Sequence, residues 1–161
     1  MSASTIHAGK SIGVGALKSG KTITWQRFKQ RYLNREDAFK YEWVNGQVEK
    51  TPRSMDKSQL YILRNLLKHF RQLQSSQKMS GELISEPDLF FLNNHRRPAI
   101  CWLSDRQIDA LAEKDAYEIP AFVIEVISSN DQINRVKHKL NDYRNAGVQV
   151  VWRIFPAYKQ V

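Results

Sequence analysis

Apolar residues along this chain recur first with a helical period and then in strand-like runs. Trp25, Phe28 and Tyr32 fall at i, i+3 and i+7 behind Thr24, whose hydroxyl suits an N-cap, so a helix is predicted to start there. Tyr41-Glu42-Trp43-Val44, Asn45-Gly46 and Gln47-Val48-Glu49 read as a hairpin, because Asn-Gly supplies the two positive φ angles of a type I′ turn. Leu60, Leu63, Leu67, Phe70 and Leu73 then march at three- and four-residue spacing, which predicts a long amphipathic helix over 57–74 covering a sheet.

Three strands are expected next: 83–92 around EPDLFFL, 99–103 (AICWL) and 121–128 (AFVIEVIS). The last is apolar almost throughout and suits an inner strand covered on both faces. SDRQIDALAEK between the last two reads as a short helix. Ser129 or Asn130 is expected to cap a final helix with Ile133, Val136, Leu140 and Tyr143 inward and Gly147 just past its end, before a strand over 149–155. The domain is expected over 24–161, behind a small, polar, Gly-rich leader at 1–23. An ending straight after a strand suggests that one further strand is missing.

Composition narrows the class. The 161 residues, 42% apolar, are about one domain's worth and can bury a core. A single cysteine, Cys101, and no secretory pattern point to a reducing, cytoplasmic setting. Charged residues interrupt every apolar run, so no membrane span of about 20 residues is expected. The formal charge of +9 favours a polyanion such as DNA, through Coulomb attraction and counterion release.

Gly15-Ala16-Leu17-Lys18-Ser19-Gly20-Lys21-Thr22 has the spelling of a phosphate-binding loop. That loop requires a buried strand feeding it, yet the fourteen residues before Gly15 are small and polar, so a chance match within the leader is the simpler reading. None of His7, His69, His95 or His138 clusters at zinc-ligand spacing.

Glu125 is the polar interruption of AFVIEVIS, and strand alternation places it on the face of Val123 and Ile127. A carboxylate there needs a partner: a basic side chain in one reading, a divalent cation in the other. Lys139 and Lys137 flank opposite sides of the apolar stripe of the final helix, and helical geometry alone leaves both open. A two-residue turn sets Glu42 opposite Glu49, a like-charge pair that calls for an intervening cation or basic group.

These segments carry a resemblance to the Uma-two family of restriction endonucleases. YEWVNGQV resembles the family's YELIDGEL hairpin, FVIEVIS its EVLS strand, and KLNDYRNAGVQVVW its K-x-x-x-Y-x-x-x-G-V-x-x-x-W segment. The match runs from about Thr24 to the C-terminus, and its ordered combination is specific. It implies an α/β fold of the PD-(D/E)XK restriction-endonuclease type: a mixed central sheet flanked by helices, with an N-terminal helix and β-hairpin. It implies a bacterial, Mg²⁺- or Mn²⁺-dependent DNA endonuclease in which Glu125 is the central-strand acid and Lys139, not Lys137, the family lysine. Glu42 matches a further family position.

The chain departs from the family at the Pro-Asp motif, which aligns with Arg97-Pro98-Ala99-Ile100 and so has alanine in the metal-binding place. Either Asp88, in a literal Pro87-Asp88, takes over from a neighbouring strand, or the site has lost a ligand and the chain is a DNA-binding module of nuclease fold. With Asp88 in that role, the metal ligands are expected to be Glu125, Asp88 and the carbonyl of Val126, the resemblance supplying Glu125, Val126 and Lys139, which orients the nucleophile. His95, Arg96, Arg97, Arg135, Arg144 and Trp102 are candidate contacts to the DNA backbone, and double-strand cutting would call for a homodimer.

Overall fold

The computed structural model describes residues 22–53, 57–113, 116–128 and 131–161; the phosphate-loop spelling before Thr22 and the caps expected at Ser129 and Asn130 lie outside them. Thr24 accepts a hydrogen bond from the Arg27 amide, as an N-cap should, and opens α1 (Trp25–Phe28), which passes into a single π-helical turn, Lys29–Leu33. The hairpin follows as β1 (Phe39–Val44) and β2 (Gln47–Pro52), with positive φ at both Asn45 and Gly46.

The region expected as one strand over 83–92 is two strands in different sheets. β3 (Glu82–Ser85) ends at Glu86, whose φ of 48° turns the chain; β4 (Leu89–Phe91) then pairs with β5 (Asn94–Arg96) across Leu92-Asn93. Both turn residues have positive φ, a cost for leucine that its sequence neighbourhood does not advertise. β6 (Ile100–Leu103), α3 (Asp105–Leu111), β7 (Phe122–Val126), α4 (Ile133–Ala146) and β8 (Val150–Ile154) complete the order, with α2 (Lys57–Ser75) between β2 and β3. A capping box between Ser104 and Gln107 opens α3, and Gly147 closes α4 in the left-handed region.

Among the described residues the strands form two four-stranded sheets, ordered β2-β1-β5-β4 and β3-β6-β7-β8; the second is mixed, with β7 parallel to β8 and antiparallel to β6. Alternation divides the second sheet's faces. Ile100, Ile124 and Ile154 pack against Ile62, Leu63 and Leu66 of α2, whereas Cys101, Leu103 and Val123 pack with Tyr143 of α4 and Leu89 and Phe91 of β4. Tyr41 and Trp43 turn one face of β1 to Phe28 of α1, which leaves Glu42 for the opposite face. Three residues expected inward are instead exposed: Leu60 and Leu73 at the ends of α2, and Ile133 in the first turn of α4. No described helix is long and apolar enough to cross a membrane.

Gly81 joins these layers. Its N–H donates to Asp105 and its carbonyl accepts from Gln74 at the end of α2, while φ is +80° and an added Cβ would lie 2.2 Å from the Leu103 carbonyl oxygen. Gly81→Ala should lower Tm by about 4–8 °C, corresponding to about 2 kcal/mol of strain and displacement, as measured by thermal denaturation.

Candidate functional site

β7 and α4 bring Glu125 and Lys139 together. Glu125 sits on the α4 face of the inner strand, as alternation requires, and α4 turns Lys139 inward while leaving Arg135, Lys137 and Arg144 exposed. Lys139 Nζ lies 2.9 Å from Glu125 Oε1 and 3.0 Å from Glu42 Oε1, and donates to the Arg97 carbonyl at 3.0 Å. Tyr143, one helical turn beyond Lys139, donates its hydroxyl to Glu125 Oε1 at 2.6 Å. One carboxylate from each sheet thus meets a single ammonium.

A second cation fixes the other side of Glu42. The register pairs Glu42 with Glu49, and Arg96 of β5 answers this like-charge pair by donating to Glu42 Oε2 at 3.1 Å and Glu49 Oε2 at 2.9 Å. Its remaining nitrogens donate to Asp142 of α4 at 2.8 and 2.6 Å. The Arg97 backbone N–H also donates to Glu42 Oε1 at 2.6 Å. Lys40 reaches the same Arg97 carbonyl at 3.4 Å and approaches Glu86 at 3.9 Å. Side-chain exposure climbs from 8% at Glu42 through 14% at Lys139 and 19% at Lys40 to 38% at Glu86, so the cluster opens to solvent on the Lys40–Glu86 side.

Burial opposes every charge here, and the partners outweigh it. Burial would raise the Glu42 pKa, but Lys139, Arg96, Lys40 and the Arg97 N–H hold it down at about 2. Burial would lower the Lys139 pKa, yet Glu125 and Glu42 raise it, so the ammonium is held protonated. Arg96 is shifted upward, its burial outweighed by Glu42, Glu49 and Asp142. Lys40 is shifted downward, first by burial and then by Lys139. Tyr143 is raised by burial and by Glu125 and Glu42 beside it, which keeps its hydroxyl a donor.

Asp88 is not brought to this cluster. Its carboxylate lies 2.8 Å from His95 Nε2 and 3.0 Å from Arg97 Nε, on the short loop between β3 and β4. Val126 follows Glu125 in β7, level with Ile154 of β8. Ala99, at a bend just before β6, is half-buried against the Ile100–Ile124–Ile154 cluster. Among the described residues no group of three or more His, Cys, Asp or Glu side chains is placed to hold a metal ion.

Of the residues expected at a DNA backbone, Arg135 and Arg144 are exposed, but His95 and Arg96 are 1% exposed. Arg96 is instead the structural centre of a carboxylate network. Trp102 is half-buried, with its indole N–H on the Ser80 carbonyl. Asp142 and Arg96 were missed as a linked pair, and the signal available was the Glu42–Glu49 repulsion, which demanded a cation. A cavity of about 200 Å³ lined by Val44, Asn45, Arg96, His138, Asn141 and Asp142 does not include the Glu125–Lys139 pair in its walls.

The mixed sheet β3-β6-β7-β8, with α2 on one face and α4 on the other, thus carries Glu125 on an inner strand opposite Lys139 of the following helix. A solved structure from Anabaena variabilis, described as "a putative nuclease belonging to DUF820", has the same fold: it aligns with a TM-score of 0.66 at 18% identity over 82% of this chain and 73% of that chain. The model of the Uma-two family, described as "Putative restriction endonuclease", matches residues 25–161, and the chain belongs to that family. No curated protein matches the sequence.

The low Glu42 pKa has a consequence for stability. A carboxylate whose folded pKa of about 2 lies below its ordinary 4.5 contributes stability that is complete above the ordinary value and is lost as pH falls toward 2. Urea unfolding between pH 6 and pH 2.5 should therefore show a loss on the order of 3 kcal/mol that Glu42→Gln largely removes. At pH 7 the variant should already be less stable than wild type by about 3–5 kcal/mol, since Lys139 and Arg96 each lose a buried partner.

Proposed function

We infer that the chain acts on DNA as a divalent-metal-dependent nuclease, with Glu125 and Lys139 at the centre of its site and Glu42 as the second carboxylate. The observation that carries this reading is the 2.9 Å contact between Lys139 Nζ and Glu125 Oε1, which joins the inner-strand acid to the helix lysine on one side of the sheet. The formal charge of +9 and the exposed Arg135, Lys137 and Arg144 on the outer side of α4 suit a phosphate backbone.

The donor set suits a hard cation. Glu42 Oε1, Glu125 Oε1 and the Arg97 carbonyl all point at one position, and the chain's own ammonium stands in there for an ion. Glu125, Glu42 and the Arg97 carbonyl would hold the metal, with the Val126 carbonyl as the further oxygen that the family resemblance supplies. A bound ion would lower the pKa of an attacking water and offset charge on the scissile phosphate. Tyr143 fixes the Glu125 carboxylate through Oε1, Arg96 fixes Glu42 through Oε2, and Lys139 brings a positive charge that can follow the phosphate as its oxygens become more negative. Cutting both strands would call for two copies of the site.

A second reading is favoured by Ala99 together with the engagement of Asp88 by His95 and Arg97: a DNA-binding module that keeps the fold and does not cut. Supercoiled plasmid incubated with the protein and Mg²⁺ or Mn²⁺ separates the two. The expected result is nicking that Glu125→Gln, folded by circular dichroism, lowers by about 100-fold or more. Ala99→Asp should increase it. Plasmid retained in a gel shift but left uncut by wild type would establish the non-cutting module, and neither retention nor nicking would remove DNA as the target.

A further inference from the structure

A protonated lysine has three N–H donors, and the ammonium of Lys139 meets three oxygens: Glu42 Oε1 at 3.0 Å, Glu125 Oε1 at 2.9 Å and the Arg97 carbonyl at 3.0 Å. None of its donors is left for a phosphate or a water. These same oxygens are the hard donors of the site, and they come from three separate places: β1, β7 and the segment between β5 and β6. A divalent ion added to them while the ammonium stayed would set a double positive charge beside a single one within contact distance. Lys40, 3.4 Å from the same carbonyl, would add to the repulsion.

We propose that Lys139 plugs the cation site of this chain, so that its ammonium and a divalent ion are alternative occupants of one oxygen cage. The ion enters only as the ammonium leaves, and the departing ammonium regains the donors it needs to meet a phosphate. In the absence of DNA the plugged form dominates, because three charge-assisted or carbonyl hydrogen bonds hold the ammonium in a cluster that already satisfies it. The proposal rests on reading the Glu42–Glu125 cluster as the site, but it concerns occupancy and not cutting.

Thermal denaturation with Mn²⁺ at millimolar concentration, without DNA, tests it on the full chain. Wild type should shift by less than about 1 °C, whereas Lys139→Met, which keeps the length and removes the charge, should gain about 3 °C or more. The double variant Lys139→Met/Glu125→Gln should lose that gain. Two buried carboxylates without their ammonium strain the fold, so Lys139→Met folding only when Mn²⁺ is present would also support the plug. A Mn²⁺-dependent rise in wild type that disappears in Glu125→Gln would overturn it. So would a Lys139→Met protein that gains nothing from Mn²⁺, whether folded or unfolded without it. Because no DNA is present, plasmid left uncut by wild type would leave this result standing.

Discussion

Glu42 and Glu125 belong to different sheets, and both lie within 3.0 Å of the same lysine nitrogen. Two carboxylates that close in a largely buried place would repel strongly and would each retain a desolvation cost without a shared cation. Lys139 supplies it from α4, the helix that also presents Asp142 to Arg96 and Tyr143 to Glu125. Alpha-helical periodicity makes this possible, since positions 139, 142 and 143 fall on neighbouring turns of one face. The same helix therefore joins the two sheets and orients both acids. The apolar clusters fix where the sheets lie, but the ion pairs fix how β1 approaches β7.

Arg96 contributes more to the direction of its partners than to stability. A guanidinium 1% exposed and bound to three carboxylates is seldom worth more than a well-packed apolar group of the same volume, because desolvation consumes most of the Coulomb gain. What the network supplies is direction. With Oε2 held by Arg96 and Oε1 held by the Arg97 N–H and Lys139, Glu42 has no freedom to rotate its carboxylate. Tyr143 limits Glu125 in the same way through a buried hydroxyl that is kept protonated. Side chains fixed by a second layer of hydrogen bonds are what a site acting on a charged substrate requires.

Much of this was legible in the sequence where a residue type and its spacing act together. Asn45-Gly46 announced the hairpin and with it the pairing of Glu42 and Glu49. The apolar run of β7 with one glutamate announced a buried acid, and the stripe of α4 narrowed the lysines to two. Local pattern could not show β5, because Asn94, His95 and Arg96 spell a polar loop and yet are all buried. Their partners, Asn45 for the Asn94 side-chain oxygen, Asp88 for His95 and the three carboxylates for Arg96, are close only after folding. Asp88 is a like case: a Pro-Asp spelling carries no information about the histidine and arginine that meet it.

Position 99 bears most directly on what the cluster can bind. Ala99 lies just before β6 and packs with the Ile100–Ile124–Ile154 cluster, whereas the second acid at the ammonium reaches in from β1. In the network as it stands the carboxylates of Glu42, Glu49, Glu86, Glu125 and Asp142 meet the cations Lys40, Lys139 and Arg96, with Glu86 the most exposed of them. An aspartate at 99 would add a further negative charge to the sheet near this network, of the kind that a divalent ion offsets. Each extra negative charge makes a metal easier to hold, and each internal cation makes it harder. Under the plug proposal, binding of a metal there is coupled to the movement of an ammonium the protein already owns.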